Sequence, residues 1–164
     1  MTSTGLVPFM ERYSNSTREV AQDGRRGALM LSVSIKHPDS EAFIDAKMTE
    51  GKVTGANVSV KLDDAFMQAA VDEKPYVQQY PIDSAQPTFT KEIDASTLWK
   101  KIVHNAWKSA EPGVLFWDTI IRESVPDFMQ TWGIERYLPT HAEKFLYVLT
   151  ILAAYWLSIY ILMW

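Results

Sequence analysis

Apolar side chains recur at helical spacing over residues 7–21, where Phe9, Met10, Tyr13, Val20 and Ala21 alternate with polar Arg12, Asn15, Ser16 and Glu19. Pro8 suits the first turn of that helix, where a missing N–H costs no hydrogen bond. Two glycines within residues 22–27 (QDGRRG) predict a loop, and residues 28–35 (ALMLSVSI) are apolar enough for a buried strand that His37-Pro38-Asp39 ends. Asp39 is the expected N-cap of a helix over residues 40–48, stopped by Glu50-Gly51. Residues 57–62 (NVSVKL) alternate as a strand, and Asp63 or Asp64 caps a short helix running to Val71. Residues 74–90 carry only weak signals and read as a Pro- and Gln-containing connection. Asp94 then caps the strongest amphipathic helix, with Leu98, Trp99, Ile102, Val103, Ala106 and Trp107 on one face. A turn at Glu111-Pro112-Gly113 leads into a short strand over residues 114–117. Helices alternating with apolar strands predict an α/β fold whose strands are buried and parallel.

Past Asp127 the pattern changes. Residues 1–127 hold 32 of the 36 charged residues and 11 of the 20 aromatics, whereas residues 128–164 keep only Glu135, Arg136, Glu143 and Lys144. Residues 145–164 (FLYVLTILAAYWLSIYILMW) are uncharged throughout, and about 20 apolar residues suffice to cross a bilayer. The run therefore reads as an apolar helix resembling a transmembrane span. The amino-terminal residues lack a basic stretch followed by an apolar one, so no secretory signal is expected and the default location is cytoplasmic.

Composition narrows the chemistry. A net charge of −4 argues against a nucleic-acid partner, because phosphate binding calls for a cationic excess. Zero cysteines exclude disulfides, thiolate metal sites and any thiol chemistry by this chain itself. His37, His104 and His141 lack metal-ligand spacing, and no metal is expected. The pairs Asp63-Asp64 and Asp72-Glu73 fall at predicted helix ends and read as solvated caps. No P-loop, GxSxG or GxGxxG pattern occurs. The segment that stands out is 22–27, because two adjacent guanidinium groups on a glycine-bearing loop can fork onto phosphates or base edges.

The strings VPFMERYSNSTREVAQ, DGRRGALMLSVSIKHPDSEAFIDAKM, GKVTGANVSVKL and LWKKIVHNAWKSAEPGVLFWDTIIRESVPD together span most of residues 2–127. They closely resemble the catalytic barrel of adenosylcobalamin-dependent (class II) ribonucleotide reductases. The resemblance implies a partial slice of a ten-stranded α/β barrel over residues 1–127, cut from a longer enzyme. It also implies that residues 22–27 are the loop that relays the identity of a bound deoxynucleotide effector to the ribonucleotide substrate. Gln22, Arg25 and Arg26 would be its communicating side chains, and Gly24 and Gly27 its flexible points. Asp23 stands where many relatives have glycine. Asn57 would be a substrate-side residue facing the barrel interior. The intact family enzyme uses adenosylcobalamin and works as a homodimer, but this fragment is expected to bind no cofactor.

Family chemistry needs a cysteine that becomes a thiyl radical, a cysteine pair that reduces the ribose 2′ position and a glutamate base. This chain has no cysteine and thus none of the catalytic set, so no turnover is expected from it alone. Relatives continue after VPD approximately as CYADLG and later STNPCGEIPLCPYDSCRLLAINLYSYV. Met129 and Trp132 have one codon each, and a permissible codon set for residues 128–133, TTT-ATG-CAG-ACT-TGG-GGN, regrouped by one base reads Tyr-Ala-Asp-Leu-Gly. The same shift over residues 139–145 permits Asn-Pro-Cys-Gly-Glu-Ile. The expectation is a one-nucleotide deletion after Asp127, which makes residues 128–164 an out-of-frame translation and the apolar helix at 145–164 accidental. The alternative is a tail-anchored membrane protein with a non-catalytic nucleotide-binding α/β domain.

Overall fold

The computed structural model describes residues 4–20 and 27–123, within which the first compact unit, Met1–Ile121, carries the fold. The apolar helix expected at 145–164, the boundary at 127 and loop residues 22–26 lie outside the described residues.

The chain opens with α1 (Val7–Glu19), β1 (Met30–Ser34), α2 (Ser40–Asp45) and β2 (Asn57–Leu62). Then follow α3 (Asp64–Val71), β3 (Pro75–Tyr80), β4 (Phe89–Asp94), α4 (Ala95–Ser109), β5 (Gly113–Phe116) and α5 (Trp117–Glu123). Strands β1, β2 and β5 form a parallel sheet in that order, while β3 and β4 pair antiparallel in a sheet of their own. The expected α/β fold with parallel strands is present.

Two caps follow the sequence reading and one does not. Asp63 accepts the Phe66 N–H at 2.7 Å and starts α3, and Asp94 accepts the N–H groups of Ser96 and Thr97 and starts α4. Gly51, at φ +83°, sits in a left-handed turn but stops no helix, since α2 has already ended. Asp39 occupies the N-cap position of α2, but its side chain caps nothing; its N–H donates to His37 Nδ1. That helix closes at Asp45, short of the expected Met48.

The hairpin corrects the reading of residues 74–90 as a mere connection. Its signal is masked because Gln78 and Lys91, which pair across the hairpin, are polar. Helix α5 was also unread, and it claims Trp117, which the pattern assigned to the preceding strand.

One core unites the helices with one face of the sheet. Met10 of α1, Phe43 and Ile44 of α2, Phe66 of α3 and Leu98 and Ile102 of α4 surround Ile35, Val58, Val60 and Leu62. On α4 the buried stripe is Ala95, Leu98, Ile102 and Asn105, so the expected face is rotated: Trp107 is 82% exposed and Val103 is exposed as well. Asn105 explains the rotation, since its amide donates to Ile44 O at 3.2 Å and to Asp45 Oδ1 at 3.0 Å.

Candidate functional site

The parallel sheet has two unlike faces. Leu31, Val33 and Ile35 of β1 and its continuation, with Val58, Val60 and Leu62 of β2, pack in or on the helix-covered core. Strand alternation places Ser32, Ser34, Asn57, Ser59 and Lys61 on the opposite face. Register aligns Met30 with Asn57, Ser32 with Ser59 and Ser34 with Lys61, so the polar positions form a ladder across the strands. Gly113 of β5 lies beside Ser59, and a Cβ there would stand 2.9 Å from Ser59 Oγ. Past the ladder, the Lys61 ammonium lies 4.0 Å from the centroid of the Trp117 ring, a cation–π contact.

Among the residues singled out by sequence, Gly27 and Asn57 come to the same end of this sheet. Asn57 is the first residue of β2, as the expected bounds have it, and is exposed; its N–H donates to Leu29 O at 2.8 Å. Gly27 immediately follows the loop and stands against α1: an added Cβ would lie 2.6 Å from Thr17 O. Gln22, Asp23, Gly24, Arg25 and Arg26 lie outside the described residues.

The helix that leads into the loop is held along its length. Ser14 Oγ accepts the Gly55 N–H at 2.8 Å, Arg18 donates to Thr54 Oγ1 at 2.8 Å, and Lys52 pairs with Glu11 at 3.2 Å. A Cβ on Gly55 would meet Ser14 O at 2.5 Å, so this approach also requires glycine.

Two polar nodes flank the sheet, one half-buried around Lys47 and Glu111 and one around Asp63, which is buried by its Tyr76 partner instead of forming the solvated cap expected of it. At the strand starts, Lys47 Nζ lies 2.6 Å from Glu111 Oε2 and donates to Ala56 O at 2.6 Å, while Glu111 accepts the Val58 N–H at 3.3 Å. At the strand ends, Asp63 Oδ2 accepts from Tyr76 Oη at 2.7 Å and pairs with Lys36 Nζ at 3.3 Å. Burial, reinforced by the Asp63 carboxylate, pushes the Tyr76 phenol well above its ordinary value. Asp118 Oδ2 accepts the Asp64 N–H at 2.8 Å, tying the start of α5 to the start of α3. Glu111 and Lys47 are far apart in sequence, so no local spacing reports their pairing.

Neither described histidine belongs to a metal-ligand set. His37 Nδ1 accepts the Asp39 N–H at 3.0 Å and its ring meets Tyr80 edge-on, while His104 lies beside Trp107 on the exposed side of α4. No group of three metal-ligating side chains converges among the described residues.

A parallel sheet with helices on one face, and with serine, asparagine and lysine side chains beside buried Met30 and Leu115 on the other, fits a segment of an α/β barrel wall. The ribonucleotide reductase barrel-domain model matches residues 1–131, and the chain belongs to that family. It is 36% identical over 124 residues to the vitamin B12-dependent ribonucleoside-diphosphate reductase of Thermoplasma acidophilum, covering 74% of this chain and 16% of that protein. Identity to the enzyme of the same name from Mycobacterium tuberculosis is 30% over 123 residues, covering 74% of this chain and 17% of that protein. For the vitamin B12-dependent ribonucleotide reductase of Streptomyces clavuligerus it is 27% over 145 residues, covering 73% and 15%. The chain thus spans about one-sixth of the length of these relatives. Among the described residues no helix is long and apolar enough to cross a membrane; residues 145–164 lie outside that set.

Proposed function

We propose that this chain is a slice of the catalytic barrel of a ribonucleoside-diphosphate reductase that makes deoxyribonucleotides for DNA synthesis with adenosylcobalamin as radical source. The observation that carries this reading is the barrel-domain match over residues 1–131, whose described part has helices on one sheet face and polar residues on the other. In this reading the polar face looks into the barrel and Asn57 stands on the substrate side. Residues Gln22, Asp23, Gly24, Arg25, Arg26 and Gly27 form the loop through which a deoxynucleotide effector selects the ribonucleotide substrate. Homodimerisation and effector binding belong to the intact enzyme. The cytoplasm is the proposed location.

This chain alone carries out no turnover. The radical step needs a thiyl group to take the ribose 3′-hydrogen and a thiol pair to reduce the 2′ position, and the chain contains no cysteine. The loss is attributed to a one-nucleotide deletion after Asp127, with residues 128–164 read out of frame and the helix at 145–164 accidental.

Resequencing the coding DNA from the Asp127 codon through about 120 downstream bases tests this. A one-base shift that restores NPCGE and continues into a long open frame is the expected result. Codons incompatible with NPCGE, followed by a stop after Trp164, would refute the deletion. Carbonate-resistant membrane fractionation, lost on removing residues 145–164, would then establish the tail-anchored alternative.

A further inference from the structure

Helix α4 carries a second apolar line on the side away from its buried stripe. Trp99, Val103 and Trp107 recur four residues apart and so follow one line along the helix. Trp99 is half-buried against the core, whereas Val103 is 51% exposed and Trp107 82%. The adjacent line holds Lys100, His104 and Lys108, all exposed, and no residue of α4 is a carboxylate. Val103 and Trp107 thus form an apolar strip open to water beside a cationic one.

At the other end of the same helix lies an open recess of about 640 Å³, walled by Glu73, Pro75, Glu92, Ile93, Asp94 and Lys100. It sets three carboxylates against one ammonium group, so α4 is acidic around its amino-terminal turn and cationic at Lys108 near its carboxy-terminal end. Opposite charges at the two ends of one helix face are complementary to that same face turned end for end. An anionic lipid surface would be drawn to Lys108 and repelled by Glu73, Glu92 and Asp94, and a parallel pairing of two such helices would set like charge against like. Antiparallel pairing with a second copy satisfies both ends at once, and a two-fold axis makes every contact twice.

We propose that α4 pairs antiparallel with α4 of a second copy of this chain about a two-fold axis at Val103, so that Trp107 of each copy covers Trp99 of the other and Lys108 of each meets the other's acidic recess. Trp99 and Trp107 stand at equal distances, about 6 Å along the axis, on either side of Val103. Lys108 then comes opposite Leu98 of the second copy, about 6 Å along the axis from Asp94 and within the span of a lysine side chain. The strip is short, so the association is weak and grows with concentration. It does not rest on the reductase reading, in which homodimerisation belongs to the intact enzyme, and it uses neither the polar sheet face nor the 22–27 loop.

The chain has no cysteine, so a substituted one is its sole thiol. Val103→Cys and, as the control, Ala85→Cys in the exposed connection of the hairpin are treated with a short bis-maleimide cross-linker at rising concentrations of the full chain. A dimer linked through residue 103, in a yield that rises with concentration, and little linkage at residue 85 are the expected result. Lys108→Glu in the Val103→Cys chain should lower the yield about tenfold, the scale of two exposed ion pairs lost. Adding Glu92→Lys should restore most of it, and this rescue separates lost pairing from lost folding. Trp107→Ala, which removes a ring the fold leaves exposed, should lower the yield as strongly. Equal yields at residues 103 and 85, as aggregation through the apolar residues 145–164 would give, would overturn the proposal. So would the absence of a dimer at residue 103, or a yield indifferent to Lys108→Glu.

Discussion

The Asp63–Tyr76 hydrogen bond offers a thermodynamic cycle with an unequal pair of single substitutions. Asp63→Ala removes the cap of α3, costing about 1 kcal/mol. It also leaves the buried Tyr76 hydroxyl without its acceptor, costing about 1–3 kcal/mol. The Lys36 contact adds at most about 1 kcal/mol, because that lysine side chain is 43% exposed and screened. The expected loss is thus about 3 kcal/mol. Tyr76→Phe gives up one hydrogen bond to a carboxylate, about 2 kcal/mol. The double variant no longer contains the orphaned hydroxyl and should lose about 3 kcal/mol, rather than the 5 or so of simple addition, giving a coupling of about 2 kcal/mol. Urea unfolding with linear extrapolation measures all four stabilities. Additivity within about 0.5 kcal/mol would refute the reasoning, since groups sharing a buried hydrogen bond cannot behave as distant sites. The same phenol predicts a pH effect. Its pKa is raised in the fold, so its contribution is intact below the ordinary tyrosine value near 10 and is lost as pH rises beyond it. Tyr76→Phe should flatten that alkaline decline.

Other substitutions probe separate features. Phe66→Ala, at a residue with 0% exposure, should cost about 3–5 kcal/mol in urea unfolding, whereas Trp107→Ala should stay within about 0.5 kcal/mol because its ring is exposed. Equal losses at the two positions would contradict the burial of Phe66 and the exposure of Trp107. Gly55→Ala forces a Cβ to 2.5 Å from Ser14 O and should cost about 1–3 kcal/mol, with faster amide exchange along α1. Unchanged exchange would show that the two backbones can separate freely. Acid should weaken the α2–α4 contact: Glu41 is held below its ordinary pKa of about 4.5 mainly by Lys101, so its stabilisation is present above that value and lost as pH falls. Glu41→Gln should remove this part of the acid dependence of unfolding; an identical acid profile would contradict it.

The elements visible in the sequence are those where local chemistry and burial agree. Asp63 and Asp94 cap helices whose apolar stripes enter the core, and the alternation of β2 matches its two sheet faces. The β3–β4 hairpin escaped because burial there is bought with hydrogen bonds: Gln78 is inside through Ile35 and Ser40, against the apolar pattern used to find strands. On α4 the pattern proposed Trp107 where the structure buries Asn105, because an amide that reaches Ile44 O and Asp45 is better satisfied inside than a large ring with no cavity to enter. Gly27 and Asn57 come to one end of the sheet, but no local sequence signal reports the serine ladder beside them. Ser32 and Ser59 are neighbours only through parallel register, which local spacing does not encode.

That register also sets an order of assembly. The hairpin joins Tyr80 to Phe89 across the connection 81–88, whereas the main sheet must bring Met30 to Asn57 and Ser59 to Gly113. Closing the longer loops costs more chain entropy and slows the encounter. The hairpin and the helices on either side of it lie between β2 and β5 in sequence, so their prior formation shortens the free chain that β5 must search through. The inserted hairpin thereby acts as a splint during folding, and the last strand of the sheet docks onto a surface whose spacing has already been set.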